Sequence, residues 1–93
     1  MYKRLFISSK NIDTDPHESH ASVVEYYLIQ KGDVLNRDYG ICVSKILDDA
    51  IREEIMIPDI STSRIYIEGL LDLLMKNGVT PVAAHDVVMD FVS

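Results

Sequence analysis

Apolar residues recur at every second position through most of the first sixty residues, then at every third or fourth position to the end. The first spacing lines one face of a strand and the second lines one face of a helix. Residues 2–8 read as a first strand, with Leu5 and Ile7 on one side. Residues 22–31 are rich in β-branched and aromatic side chains, which suit a pleated surface. Val24, Tyr26 and Leu28 share one face there, and Val23, Tyr27 and Ile29 the other. Residues 39–47 form a third strand, in which Tyr39, Ile41 and Val43 oppose Gly40, Cys42 and Ile46. Residues 50–57 form a fourth, with Ile51, Glu53, Ile55 and Ile57 on one side and Arg52, Glu54 and Met56 on the other. Pro58 has no N–H to give a ladder, so pairing is expected to stop there or to lie at an edge.

The period changes after Pro58. Ser61, Thr62 and Ser63 offer hydroxyls for a helix N-terminus, whose first N–H groups have no partner within the helix. Ile67, Leu70, Leu71, Leu74 and Met75 then mark a helix over 63–77, closed by Asn77-Gly78. Thr80-Pro81 opens a second helix over 81–92, with threonine as cap and proline in the first turn. Its apolar side carries Val82, Val87, Val88, Phe91 and Val92. Gly32-Asp33 and Asp48-Asp49 mark short connections, and strands joined by short turns are antiparallel. The expected fold is α+β: a four-stranded antiparallel meander followed by two C-terminal helices packed on one face. Residues 1–93 are expected to form one domain.

Residues 9–21 are the most polar stretch and contain the turn former Asp15-Pro16. The expectation is a mobile loop. It holds the densest set of potential metal ligands in the chain: Asp13, Asp15, His17 and His20, with Glu18 between. Imidazoles and carboxylates suit zinc or nickel, but a solvated loop has the same composition. No calcium-loop pattern is present.

Net charge is −6, and its distribution narrows the function classes. Residues 1–12 carry Lys3, Arg4 and Lys10 and no acid, whereas residues 13–93 carry a net −9. Most of this surface repels a phosphate backbone, which argues against nucleic acid as a partner. Cys42 is the single cysteine, inside the apolar run Ile41-Cys42-Val43, and reads as a small buried hydrophobe. No intrachain disulfide can form, and no apolar run of membrane-spanning length occurs, so a cytoplasmic location away from the membrane is expected. His85-Asp86 and the aspartates Asp72, Asp86 and Asp90 read as solvated helix positions. The glycines show no phosphate-binding spacing, the five tyrosines have no surrounding cations to make a base-stacking platform, and no cofactor motif is found.

The segments Tyr26-Tyr27-Leu28-Ile29, Tyr39-Gly40-Ile41, Asp59-Ile60-Ser61 and Val79-Thr80-Pro81-Val82, with Asp86-Val87-Val88 and Asp90-Phe91, resemble a small uncharacterised bacterial family. It is a domain of unknown function of Gram-positive anaerobes, and the resemblance covers about residues 22–92. The chain departs from that pattern at Ala83 and Met89, where histidine and glutamate are common. The resemblance implies a bacterial cytoplasmic protein and no activity.

Two helices can cover only one face of the sheet, while both faces carry apolar residues. The functional expectation is therefore a non-enzymatic interaction or regulatory module that binds itself as a homodimer, or another protein, through a face holding Tyr27, Ile29, Cys42 and Met56, unless the N-terminal strand and loop fold over that face and leave a monomer. The alternative is a small metal-dependent protein or enzyme that uses the loop from Asp13 to His20.

Overall fold

The computed structural model describes residues 2–12, 22–32 and 37–93. Its elements are β1 (Tyr2–Ile12), β2 (Ser22–Gly32), β3 (Arg37–Leu47), β4 (Ala50–Ser61), α1 (Arg64–Lys76) and α2 (Pro81–Val92). The strands pair in chain order, each antiparallel to the last, so the sheet is a meander. The β3–β4 hairpin turns on Asp48 and Asp49, both at positive φ (53° and 61°). That pair of angles marks the two-residue turn whose twist matches the strands it joins.

Both helices pack on one face. Val24, Tyr26 and Leu28 of β2 and Tyr39, Ile41 and Val43 of β3 meet Ile67, Leu70, Leu71 and Leu74 of α1 and Ala84 and Val88 of α2. Each large aliphatic side chain buried this way stabilises by about 2 kcal/mol. The α1–α2 junction is tied to this core by hydrogen bonds. The Gly78 N–H donates to Met75 O at 3.2 Å and the Val79 N–H to Leu74 O at 3.0 Å. Gly78 is at φ +59°, where a Cβ would be strained. Lys10 of β1 adds its ammonium, donating to Met75 O and Lys76 O at 3.3 Å each, at the helix end whose carbonyls are partly negative. Tyr26, wholly buried, donates its hydroxyl to Val79 O at 2.8 Å.

The strands differ from the sequence expectation in three ways. First, β1 continues to Ile12, so residues 9–12 of the expected 9–21 loop belong to the sheet; residues 13–21 lie outside the described residues. Low apolar content suggested a loop, but an edge strand needs few apolar residues. Here Lys10 is held by helix carbonyls and Asn11 is exposed. Second, β4 runs past the expected end at Ile57 and pairs again at Tyr39–Ser61; Pro58 lies in an edge strand, the alternative that its missing N–H allowed. Gly40 on β3 faces three residues on β4, and Asp59 at φ +56° absorbs the excess. Third, a bulge at Arg52 pairs Ile46 with Ile51, which moves Ile51 from the side of Ile55 and Ile57 to the opposite face. One inserted residue reverses the alternation that a period-2 pattern assumes. The helix spans agree with the expected 63–77 and 81–92 to within a residue.

The two caps make unequal bonds. Ser63 Oγ accepts the Tyr66 N–H at 3.2 Å, whereas the Thr80 hydroxyl makes no cap bond. Ser63→Ala is therefore expected to cost about 1 kcal/mol and Thr80→Ala well under half of that. Urea denaturation midpoints check the order.

Burial pushes the Tyr26 phenol up to about 12 from its ordinary 10. The folded state thus keeps a proton that the unfolded chain releases near pH 10. This contribution is complete below pH 10 and is lost between about pH 10 and 12, on the order of 2 kcal/mol in all. Tyr26→Phe should lower stability at pH 7 by about 1 kcal/mol, through the unpaired Val79 carbonyl. It should also flatten the fall in stability between pH 10 and 12, read from denaturation midpoints across that range.

Candidate functional site: the helix-free face of the sheet

The pleat directs alternate residues away from the helices. One row across the sheet is Phe6, Tyr27, Cys42 and Met56, each paired with the next by strand register. The adjoining rows bring Arg4 beside Ile29 and Gly40, and Glu25 beside Ser44 and Glu54.

Arg4 organises the centre. Its guanidinium carbon lies 4.3 Å from the centroid of the Tyr27 ring, and its Nη1 lies 3.6 Å from Glu54 Oε2. The side chain therefore runs from one edge strand to the other across the middle of the face. Phe6 packs edge-on against the same tyrosine, with centroids 5.7 Å apart. Polar groups close the surround. Tyr27 donates its hydroxyl to Glu25 Oε1 at 2.7 Å, Ser44 donates to Glu54 Oε2 at 2.6 Å, and Cys42 Sγ lies 3.8 Å from Ser44 Oγ. Desolvation alone would lower the Arg4 guanidinium, but Cys42, Tyr27 and Glu54 hold it above its ordinary value. The hydrogen bond to Glu25, helped by burial, raises the Tyr27 phenol.

One end of the face is closed by backbone. At Gly40 the bulged β4 leans over β3, so that a Cβ there would collide with the Ile57 carbonyl oxygen and lie 2.7 Å from Pro58 Cα. Only glycine fits this approach. Asp59, carried over by the same bulge, reaches Lys31 at 3.6 Å, and the Lys31 ammonium lies 5.4 Å from the Tyr2 ring centroid.

The four residues expected at a partner surface separate by depth. Met56 is 48% exposed and Tyr27 half-buried, whereas Ile29 (1%) and Cys42 (0%) form the floor. Phe6 (56%) and Ile51 (57%) add apolar surface on this face. The pattern-based reading missed Phe6, Arg4, Glu25, Ser44 and Glu54. Register, not periodicity, brings these residues together.

Burial pushes the Cys42 thiol up, against the opposing hydrogen bond from Ser44. A raised, enclosed thiol holds little thiolate, so Cys42 does not suit the part of a nucleophile. Asp13, Asp15, His17 and His20 lie outside the described residues. Among the described residues no group of three or more His, Cys, Asp or Glu side chains is placed to hold a metal ion. His85 Nδ1 lies 3.9 Å from Asp86 Oδ1, closer than neighbouring helix positions suggest, and both side chains face solvent. Tyr26 and Tyr39 are in the core, Tyr66 packs against Phe91 with ring centroids 5.0 Å apart and planes tilted by 48°, and Tyr2 and Tyr27 lie on the helix-free face. The five tyrosines do not form one stacking platform.

No helix among the described residues is long and apolar enough to cross a membrane. The family described as "Family of unknown function (DUF6514)" matches residues 3–93. No curated protein and no solved structure matches the chain.

The depth of Cys42 yields a direct expectation. In the folded protein it should react with an aromatic disulfide reagent more than about tenfold slower than in denaturant at the same pH, because reaction must wait for the sheet to open. Absorbance of the released thiolate measures both rates.

Proposed function

The chain belongs to this family of unknown function, and we propose that it is a non-enzymatic interaction module of the bacterial cytoplasm that pairs with a second copy of itself through the helix-free face. The observation that supports this reading is the exposed pair Phe6 and Met56 on either side of Tyr27, one from each edge strand. Exposed apolar side chains gathered on one face mark binding surfaces more often than scattered ones do.

Charge favours a second copy as the occupant. The chain is acidic, and two copies repel one another through most orientations. On this face, however, Arg4 pairs with Glu54 and Lys31 with Asp59, and the Glu25 carboxylate accepts from Tyr27. Arg4 and Lys31 there meet the carboxylates of Glu25, Asp38, Glu54 and Asp59, a net −2 against the −6 of the chain, so apposing this face to itself brings less repulsion than most orientations.

Size also fits. Four strands about 4.8 Å apart and eleven residues long, at about 3.4 Å each, give a face of roughly 19 by 37 Å. That is about 700 Å², near the roughly 800 Å² that a stable interface buries on each partner. A two-fold arrangement satisfies one self-complementary patch and leaves no open end. Two sheets packed face to face lie about 10 Å apart, which accommodates Phe6, Tyr27 and Met56 between them.

Sedimentation at micromolar concentration should give twice the chain mass of 10.5 kDa. Phe6→Glu and Met56→Glu should each return the protein to that single-chain mass with its circular dichroism intact, because both side chains are exposed in the lone chain and each change would bury an unpaired charge at the interface. Ile29 and Cys42 are unsuitable probes, since both are already buried and their replacement would act on folding. A wild-type protein that sediments as a single chain would overturn the proposal.

A further inference from the structure

Packed at right angles, two faces of roughly 19 by 37 Å overlap over only about half their length. Packed in the aligned way, they keep their strands within about 30° of each other and overlap throughout. The two-fold axis of an aligned pair then runs either across the strands or along them. Strand register decides what each choice brings together.

An axis across the strands, through the row of Phe6, Tyr27, Cys42 and Met56, turns the rows on its two sides onto each other. The Glu25 carboxylate then falls on the partner's Ile29, Asp38 falls on the partner's Ile46, and Glu54 falls beside the bulge that carries the partner's Asp59. Each contact sets a charge against an apolar side chain or an acid beside an acid, and both are unfavourable once water is excluded. An axis along the strands, between β2 and β3, keeps each row on itself and lays β1 of one copy over the partner's β4. Lys31 then meets the partner's Asp38, Glu25 the partner's Ser44, and Phe6 the partner's Met56. None of these three contacts buries a charge against an apolar group or apposes two acids. We infer, on the footing of the face-to-face dimer proposed for this surface, that its axis runs along the strands and that the contact of Phe6 with the partner's Met56, made twice, sets the register of the pair. Both side chains stand out from the lone chain, 56% and 48% exposed, so they are the apolar groups that gain most by meeting.

The test mixes two full-length proteins, Phe6→Lys and Met56→Glu. Each alone should sediment as a single chain of 10.5 kDa, because its contact would bury an unpaired charge. Mixed in equal amounts they should sediment at twice that mass, since one contact becomes lysine against glutamate while the other stays phenylalanine against methionine. High salt should loosen this mixed pair. Phe6→Glu mixed with Met56→Glu should stay at the single-chain mass. A second measurement needs no charge. In a mixture of Phe6→Cys and Met56→Cys proteins, a short bismaleimide should join one chain to the other. It should join nothing in the Phe6→Cys protein alone, because Phe6 and the partner's Phe6 lie at opposite edges, three strand spacings or about 14 Å apart along the sheet. Cys42, wholly buried, should be spared. A dimeric wild-type protein whose Phe6→Lys or Met56→Glu variant stays dimeric alone, whose two charged variants stay apart on mixing, or whose Phe6→Cys variant joins to itself would overturn the strand-parallel axis and leave the dimer standing. A wild-type protein of single-chain mass would overturn both.

Discussion

Two helices of twelve and thirteen residues can shield one side of a four-stranded sheet, and the chain has nothing further among its described elements to lay on the other. Much of the architecture follows from that shortage. The strands must close their own second face with side chains and backbone they already carry. Arg4 does so by lying over Tyr27 and reaching Glu54, its aliphatic stem over the sheet and its charge engaged on both sides. Backbone does so at Gly40, where the absence of a side chain lets β4 lean in. The outcome is a floor of Ile29 and Cys42 sealed within one chain, below a rim of Phe6, Met56 and Ile51 that stays in contact with solvent.

The covered side is organised around the link between the helices. Val79 occupies the place where α1 ends and α2 has not begun, so its carbonyl falls in apolar surroundings without a helical partner. The Tyr26 hydroxyl supplies the missing bond from the centre of β2. Lys10, from β1, meets carbonyls of the same helix end. Strands at one end of the chain thus fix the position of a junction more than fifty residues later. A polar atom left unpaired in such a place costs more than the bond itself contributes, so these contacts restrict the helices to one placement as much as they stabilise it.

The elements were readable from sequence because each signal is local: alternation in β2 and β3, the three-and-four spacing of α1, Gly78 at its end and Pro81 at the next start. The helix-facing residues followed from the same alternation, and Val24, Tyr26, Leu28, Ile41 and Val43 are all in the core. What escaped was register. A one-residue bulge has no compositional mark of its own, and it puts the residues on its two sides out of alternation, as Ile51 shows. Arg4 and Glu54 are fifty positions apart, and no spacing rule connects them. Lys10 belonged to a stretch that resembles a loop because its chemistry is polar; its role depends on a helix end that only the folded chain brings near. The depth difference between Tyr27 and Cys42, neighbours in one row, likewise depends on where the Arg4 side chain lies.

The irregular β4 has a meaning for assembly. A sheet with two regular edges of opposite charge is a monomer unit for a fibre, since the basic edge of one molecule fits the acidic edge of the next and the fit repeats without end. Here β1 is basic and β4 acidic, so the electrostatic half of that hazard is present. The bulges at Arg52 and Pro58 remove the geometric half, because a straight strand cannot follow a backbone that gains three residues over its length. Pro58 and Asp59 serve as the chain terminator of a polymerisation that the charges alone would have encouraged.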